Sequence, residues 1–512
     1  MAPDVTVQSR SPVVETSAGR VSGVTSGGVH IFKGIPYGAS TGGANRFLAP
    51  KAPTPWSGVR EATAYAGRSP QAAAAAQRPE LATVWGPVDT LPVGEDCLTL
   101  HVWTPGLDNA KRPVMVWLHG GAFSYGSANS PRYDSTNLAR RNDVVVVAVN
   151  HRLNIFGHLD LSEAGGERFA QSGNVGVLDL VTALEWVREH AARFGGDPGN
   201  VTIFGQSGGG GKVSALLSMP RAKGLFHKAI VQSGASVRFA ERERTTRLAD
   251  AVLKHLGLGR GDLGKLQALP LEKLQAAVAP AQATLPRPRQ PLLDRYNFGP
   301  VIDGKLLPAH PFDPSAPAIS DDVPVMVGDT KDEAAIFQAP DDTVWNRSLN
   351  EEELTKRIKA VAGDRTDKLL AYYKQGAPAD RLITALTASN FGVRSIMLAD
   401  AKAARGKAPV WAYDFAWETP AFGGRLKSCH SVEVPFVFDT LHVIGERHMK
   451  PGAQALADRV SRTWATFART GKTDWPAYTT GKRTTMVFDD QCRTVDDPDG
   501  AVRPLWREAA AG

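Results

Sequence analysis

The segment Gly205-Gln206-Ser207-Gly208-Gly209 has the residue types and spacing of a nucleophile. A serine with glycine at both second neighbours, set between a strand and a helix, is the G-x-S-x-G pattern of a sharp turn that holds a hydroxyl over the edge of a sheet. Asn200-Val201-Thr202-Ile203-Phe204 before it is β-branched and apolar and predicts a buried strand; Lys212-Val213-Ser214-Ala215-Leu216-Leu217 after it predicts a helix. Such a turn leaves no room for a Cβ at Gly205 or Gly209, because strand and helix backbones nearly touch. The helix that follows aims N–H groups and a positive dipole end at the reacting centre. The five residues alone also describe a glycine-rich loop with an incidental serine; the strand–turn–helix context favours chemistry.

A second segment fits the same chemistry. Pro113-Val114-Met115-Val116-Trp117-Leu118 predicts another buried strand and runs into His119-Gly120-Gly121-Ala122-Phe123. Consecutive small residues after a strand let the backbone fold back with its N–H groups exposed, as in an oxyanion loop. Acyl transfer builds negative charge on a former carbonyl oxygen, and fixed donors beside that oxygen lower the barrier. A plain tight turn at Gly120-Gly121 is the alternative. Between the two segments lies a third predicted strand, Asp143 to Asn150.

The chain resembles the type B carboxylesterase (cholinesterase-like) family of α/β-hydrolases, in its bacterial form. The likeness runs from about Gly19 to the Trp475 region. It includes Phe32-Lys33-Gly34-Ile35-Pro36-Tyr37, Glu95-Asp96-Cys97-Leu98-Thr99-Leu100, Asn150-His151-Arg152-Leu153, Gly173 to Asp179 and Leu225 to Gly234. It implies a serine hydrolase with a Ser, Glu, His triad in that chain order. Glu333, in Lys331-Asp332-Glu333-Ala334, falls on the family's triad acid, with Asp332 as the competing carboxylate and Ala334 where glycine is usual. His430, in His430-Ser431-Val432-Glu433-Val434-Pro435, falls on the family's base, and neighbouring Cys429 is expected to be a small packing residue. The resemblance assigns oxyanion donors to the backbone of Gly121, Ala122 and Gly208. It places Ser233 where a serine supports the triad acid, and it matches Arg46 with Glu95 and Arg152 with Asp179 as ion pairs; ordinary surface pairing is the alternative for both.

One departure bears on substrate. The family usually has glutamate before the nucleophile and alanine after it; here the residues are Gln206 and Gly208. Loss of that charge weakens attraction for cationic substrates such as choline esters. Glu433 matches a family glutamate near the residue before the nucleophile, so the Gln206 amide is expected to donate to Glu433.

The elements that must position these residues follow from the rest of the chain. Strands and helices alternate from about Pro113 to Gly234, as in a mostly parallel sheet. Strands resume at Val323–Val327 and Val410–Phe415, and Leu456, Val460 and Phe467 fall on one face of a helix ending at Gly471. Short strands lead in antiparallel. Leucines at helical spacing between Leu248 and Ala279, and the stretch Glu351 to Lys374, predict helical inserts. Pro286 to Pro291 predicts an exposed connection, and Gln71 to Pro92 has no strand pattern and corresponds to a family loop rimming the active-site entrance. The expected fold class is α/β: one α/β-hydrolase domain over 1–512, a mostly parallel sheet with helices on both faces and helical insertions near 236–300 and 340–390 around the pocket.

Composition narrows the partners. The 512 residues are 42% hydrophobic, enough for a large core, and 59 basic and 52 acidic residues are mixed along the chain at a net charge of +7. No basic block points to nucleic acid. Three cysteines, Cys97, Cys429 and Cys492, cannot form a disulfide framework. Secreted relatives pair a cysteine equivalent to Cys97 with one upstream; here Ser69 occupies that place. With no basic segment followed by an apolar run at Met1–Thr6, a cytoplasmic location is expected. No stretch is expected to be long and apolar enough to span a bilayer. A metal reading finds no ligand motif, so no metal and no cofactor are expected. The expected function is a serine hydrolase cleaving small-molecule carboxylic esters through an acyl-enzyme. The alternatives are an amide or aryl-carbamate hydrolase using the same triad, and a non-catalytic binding or adhesion protein of the same fold.

Overall fold

In a computed structural model, the structure describes residues 11–72, 81, 84, 86, 89–286, 298–445 and 448–511. Its centre is an eleven-stranded sheet. In chain order the strands are β1 (Val24–Ser26), β2 (Val29–Pro36), β3 (Thr99–Thr104), β4 (Arg112–Leu118), β5 (Val145–Val149), β6 (Gly196–Gln206), β7 (Lys228–Gln232), β8 (Val325–Thr330), β9 (Val410–Phe415), β10 (Thr485–Phe488) and β11 (Arg493–Val495). Across the sheet the order is β11-β10-β9-β8-β7-β6-β4-β5-β3-β2-β1. The strands from β10 to β5 pair in parallel, and antiparallel strands flank them on both edges. This is the expected α/β-hydrolase architecture. A small lead-in sheet pairs Val13–Thr16 antiparallel with Gly19–Ser22.

Both faces of the parallel strands are covered, which is why they read as unbroken apolar runs. Val114, Val116 and Leu118 of β4 point to one face with Val145 and Val147 of β5, against helix α1 (Val175–His190). Met115 and Trp117 point to the other with Val146 and Phe204. There they meet helix α4 (Ala453–Thr470), whose Leu456, Val460 and Phe467 are buried and whose end is set by Gly471 in the left-handed region, φ 67°. Between these helices in sequence come α2 (Gly208–Ser218), directly after β6, and the long helix α3 (Pro378–Arg405).

Short helices fill the insert after β7: Arg242–His255, Leu263–Ala268, Leu271–Ala276 and Val278–Ala283. They gather Leu248, Val252, Leu266 and Leu274 around Phe156 and Phe169. The expected Pro286–Pro291 connection lies mostly outside the described residues, as do residues 73–80 of the entrance loop. One expectation is corrected. Helix α3 is 28 residues long with a mean hydropathy of 1.3 over its most apolar window, long and apolar enough to cross a bilayer by length and composition. Asp380 and Arg381 near its start, Arg394 within it and Asp400, Lys402 and Arg405 near its end interrupt the text, which hides it from a scan for uninterrupted apolar residues. In the fold, half of that window is buried, with Leu382, Ile383, Leu386 and Val393 in the core. A π-turn at Ala388–Gly392 interrupts it.

Candidate functional site

Ser207 sits where β6 turns into α2, at φ 60° and ψ −124°, a conformation that side-chain-bearing residues rarely adopt. Its N–H is held by the Gln232 carbonyl on neighbouring β7 at 2.8 Å. A Cβ at Gly205 would lie 2.6 Å from the Gly209 carbonyl carbon, and one at Gly209 would overlap the Leu118 carbonyl oxygen. Glycine at both places is therefore a packing requirement, as the spacing predicted. The helix begins four residues earlier than its apolar text, at Gly208.

The His119–Phe123 loop leaves β4 beside this turn. Ser124 and Tyr125 donate backbone hydrogen bonds of 3.1 Å to the Gly121 carbonyl, and Ala122 takes a left-handed φ of 52°. A Cβ at Gly208 would overlap the Ala122 carbonyl oxygen. That contact explains the glycine found where alanine is usual: loop and helix start are in backbone contact.

His430 Nδ1 and Glu333 Oε2 are 2.5 Å apart, with Glu333 fully buried. The other Glu333 oxygen accepts from the Thr330 N–H at 2.8 Å, which fixes the carboxylate. Of the two neighbouring acids, Glu333 is thus the one that meets the histidine. Asp332 instead receives the Ser428 N–H at 3.4 Å, and burial raises it above the usual carboxylate range. Ala334 opens a short helix, Ala334–Gln338, with no positive φ, so glycine is not needed there.

Three expected contacts are not found. The Gln206 amide does not meet Glu433; it lies 3.2 Å from His430 Nε2. The donor to Glu433 Oε1 is Gln232, at 3.3 Å, whose own carbonyl oxygen is held by the Trp464 indole at 3.1 Å. The Ser233 hydroxyl is buried without a hydrogen-bond partner, and its N–H goes to the Gly328 carbonyl at 2.8 Å, so it does not hold Glu333. Ser207 Oγ makes no hydrogen bond to His430 among the described residues; the Gln206 amide nitrogen lies against the ring, 3.2 Å from Nε2 and 3.5 Å from Nδ1.

Behind the His430–Glu333 pair the carboxylates crowd. Burial, then the neighbouring Glu333, pushes Glu433 up to about 7, and its second oxygen has no hydrogen-bond partner. The same two causes hold Asp329 well above the ordinary range, although Ser395 donates to it at 2.9 Å. Burial takes Asp414 up to about 7. The region around the His430–Glu333 pair therefore favours the protonated form of Glu433, Asp329 and Asp414.

Both expected ion pairs form, and both are buried rather than superficial. Arg152 grips Asp179 at 2.8 and 2.6 Å with neither side chain more than 1% exposed, and it also donates to the Leu48 carbonyl at 2.7 Å. Arg46 meets Glu95 at 2.5 and 2.8 Å and reaches the carbonyls of Gln267 and Leu269 in the insert. Removing one partner of such a pair strands a buried charge. Cys97 is buried and unpaired; burial pushes its thiol up to about 12, with the Ser69 hydroxyl opposing.

Sequence reasoning missed two sets of residues. Phe337 and Phe391 lie beside the His430 ring at 5.0 and 5.2 Å and stack on each other at 6.0 Å. Phe391 is carried there by the π-turn in α3, a device common at functional sites and invisible to a 3.6-residue pattern. Lys212 is fully buried in α2. Its only signal was an otherwise apolar helix around it.

Residues 10–501 match the model of the carboxylesterase family. A para-nitrobenzyl esterase of Bacillus subtilis (strain 168) is 36% identical, the match covering 96% of this chain and 97% of that protein. A phenmedipham hydrolase of Pseudarthrobacter oxydans is 32% identical over 96% of this chain and 99% of its own. Among solved structures, a Geobacillus stearothermophilus carboxylesterase superposes with a TM-score of 0.82 at 38% identity, covering 96% of this chain and 99% of that one.

Proposed function

This chain belongs to the carboxylesterase family and is a carboxylic-ester hydrolase, and we propose that it works through an acyl-enzyme on Ser207. The observation that carries this is the 2.5 Å pair of His430 and Glu333 beside the strained turn that presents Ser207. Glu333 orients the imidazole and stabilises its charged form. His430 Nε2 takes the Ser207 proton. The serine oxygen bonds to the ester carbonyl carbon, and the resulting oxyanion receives the N–H groups of Gly121, Ala122 and Gly208. The C–O bond to the alcohol breaks and the alcohol leaves with the proton held by His430. Water then attacks the acyl-enzyme by the same route and frees the acid. No step draws on a group outside the chain.

The substrates are small-molecule esters. Phe337 and Phe391, stacked together beside His430, favour an aryl group near the scissile bond, so the second reading is hydrolysis of aryl carbamates or amides by the same residues. Three unpaired cysteines, with Ser69 facing Cys97, fit a reducing compartment such as the cytoplasm.

The test is rapid mixing with p-nitrophenyl butyrate, a p-nitrophenyl carbamate and a p-nitroanilide. A burst of p-nitrophenol equal to the enzyme concentration supports the acyl-enzyme, and the fastest acylation identifies the preferred linkage. Ser207→Ala and His430→Ala should each lose several orders of magnitude in kcat, and the double variant should be little worse than either. Independent multiplication of the two losses argues against one nucleophile–base unit.

A further inference from the structure

Lys212 lies just past the first turn of α2, five residues after Ser207, and no part of it reaches solvent. Its Nζ donates to the His119 carbonyl at 2.8 Å and stands 5.6 Å from the centre of the Phe123 ring. Those two residues are the first and last of the His119–Phe123 loop. A lysine here is opposed twice, by loss of hydration and by the positive end of its own helix.

Among the described residues, no acidic group is paired with Lys212. The loop after β4 presents His119, the segment after β5 presents His151, and the short helix Asn154–His158 presents His158; each imidazole is held neutral, first by burial and then in part by Lys212 itself. Two other cations stand nearby: Arg152, already bound to Asp179, and Arg132, which also opposes charge on His119. A charge placed there without a counter-ion is relieved by any negative charge that develops nearby, and the hydrolysis proposed above develops one.

We propose that Lys212 is a positioning residue for ester hydrolysis: it clamps both ends of the His119–Phe123 loop to the nucleophile helix and, when charged, adds positive potential behind the backbone donors that receive the oxyanion. This rests on assigning those donors to Gly121, Ala122 and Gly208. The interaction strengthens only as charge builds on the carbonyl oxygen, so it acts on kcat rather than on ground-state binding. Burial pulls the Lys212 ammonium down to about 7. The charged form exists below that value and is lost as pH rises through it, so the contribution fades on the alkaline side.

The experiment compares wild type with Lys212→Met and Lys212→Gln, using p-nitrophenyl butyrate and an aryl trifluoromethyl ketone that adds to Ser207 as an oxyanion mimic. Both variants should lose about tenfold or more in kcat at neutral pH, less than the roughly hundredfold typical of removing a direct oxyanion donor, with KM within about twofold. Ketone affinity should fall by the same factor as kcat, and the alkaline decline of the wild-type profile should disappear. Unchanged kcat and ketone affinity, or a loss confined to KM, overturns the proposal. If neither variant folds, the wild type decides: its ketone affinity must decline above neutral pH, and a flat alkaline side overturns the proposal. Retained hydrolysis by Ser207→Ala would instead sink the nucleophile assignment, a result separable from any behaviour of Lys212.

Discussion

The Gln206 side-chain amide nitrogen lies 3.2 Å from His430 Nε2 and 3.5 Å from Nδ1, the nitrogen that meets Glu333 at 2.5 Å. The carboxylate fixes the imidazole at Nδ1, and the neutral amide lies against the ring, nearest Nε2.

Gln206→Glu places a negative charge against that nitrogen and toward the alcohol group of a bound ester. We expect kcat/KM for a choline-type ester to rise relative to a neutral ester of equal size by about fivefold, the equivalent of roughly 1 kcal/mol of Coulomb energy in a partly solvated site. Added salt should reduce the difference, though less than for a surface charge. Equal changes for charged and neutral esters would show that position 206 does not face the alcohol.

Glu433→Gln should flatten the dependence of stability on pH. Glu433 is raised from its ordinary value to about 7 in the folded protein, by burial first and Glu333 second, so the fold binds its proton more tightly than the unfolded chain does. That contribution is whole below the ordinary glutamate range and is lost as pH rises through about 7; over that span it amounts to at most roughly 3–4 kcal/mol. Asp329 and Asp414 shift in the same direction, so the wild-type slope should shrink rather than vanish. Urea unfolding at mildly acidic and mildly alkaline pH measures it. An equal stability change at both ends would mean the proton on Glu433 is not what matters.

Gly208→Ala should damage catalysis while sparing the fold. The new methyl would overlap the Ala122 carbonyl oxygen, and relief requires one proposed oxyanion donor to move relative to another. A displacement of about 1 Å in such a site costs on the order of a hundredfold in rate. Near-wild-type kcat in a variant with unchanged circular dichroism would show that the loop yields without penalty.

Ser69→Cys should form a disulfide with Cys97 under oxidising conditions, because both positions are buried and the Ser69 hydroxyl, which has no hydrogen-bond partner, lies near that thiol. Closing a loop of this length stabilises by about 3–4 kcal/mol in the chain-entropy account. Thiol titration and the dependence of Tm on reductant read it out. Two free thiols persisting after oxidation would place the side chains out of reach of one another.

The sequence carried the site where the chemistry is written locally. Ser207 and the His119–Phe123 loop were legible because a tight turn after a strand admits few residues, and the parallel sheet was legible because strands buried on both faces need unbroken apolar text. Glu333 and His430 needed the family resemblance, since 97 residues separate them and no local rule links them. The second layer was misassigned for the same reason. Gln206 and Gln232 are equivalent on paper, and which of them meets Glu433 depends on how β6 and β7 align. Lys212 reads as a surface lysine until a loop 93 residues upstream covers it.

The first turn of α2 is four consecutive glycines, Gly208 to Gly211. In isolation each is about 1 kcal/mol worse than alanine in a helix, so this turn has no tendency to form alone. It exists because the backbones of Leu118, Ala122 and Gly234 are already beside it and leave no space for side chains. The nucleophile's place is therefore assembled late: the sheet must close before the turn can settle. A substitution here would leave the refolding rate almost untouched and quicken unfolding. Recovery of activity after denaturation would then lag behind recovery of helix and strand, with the catalytic centre the last part of the molecule to arrive and the first to leave.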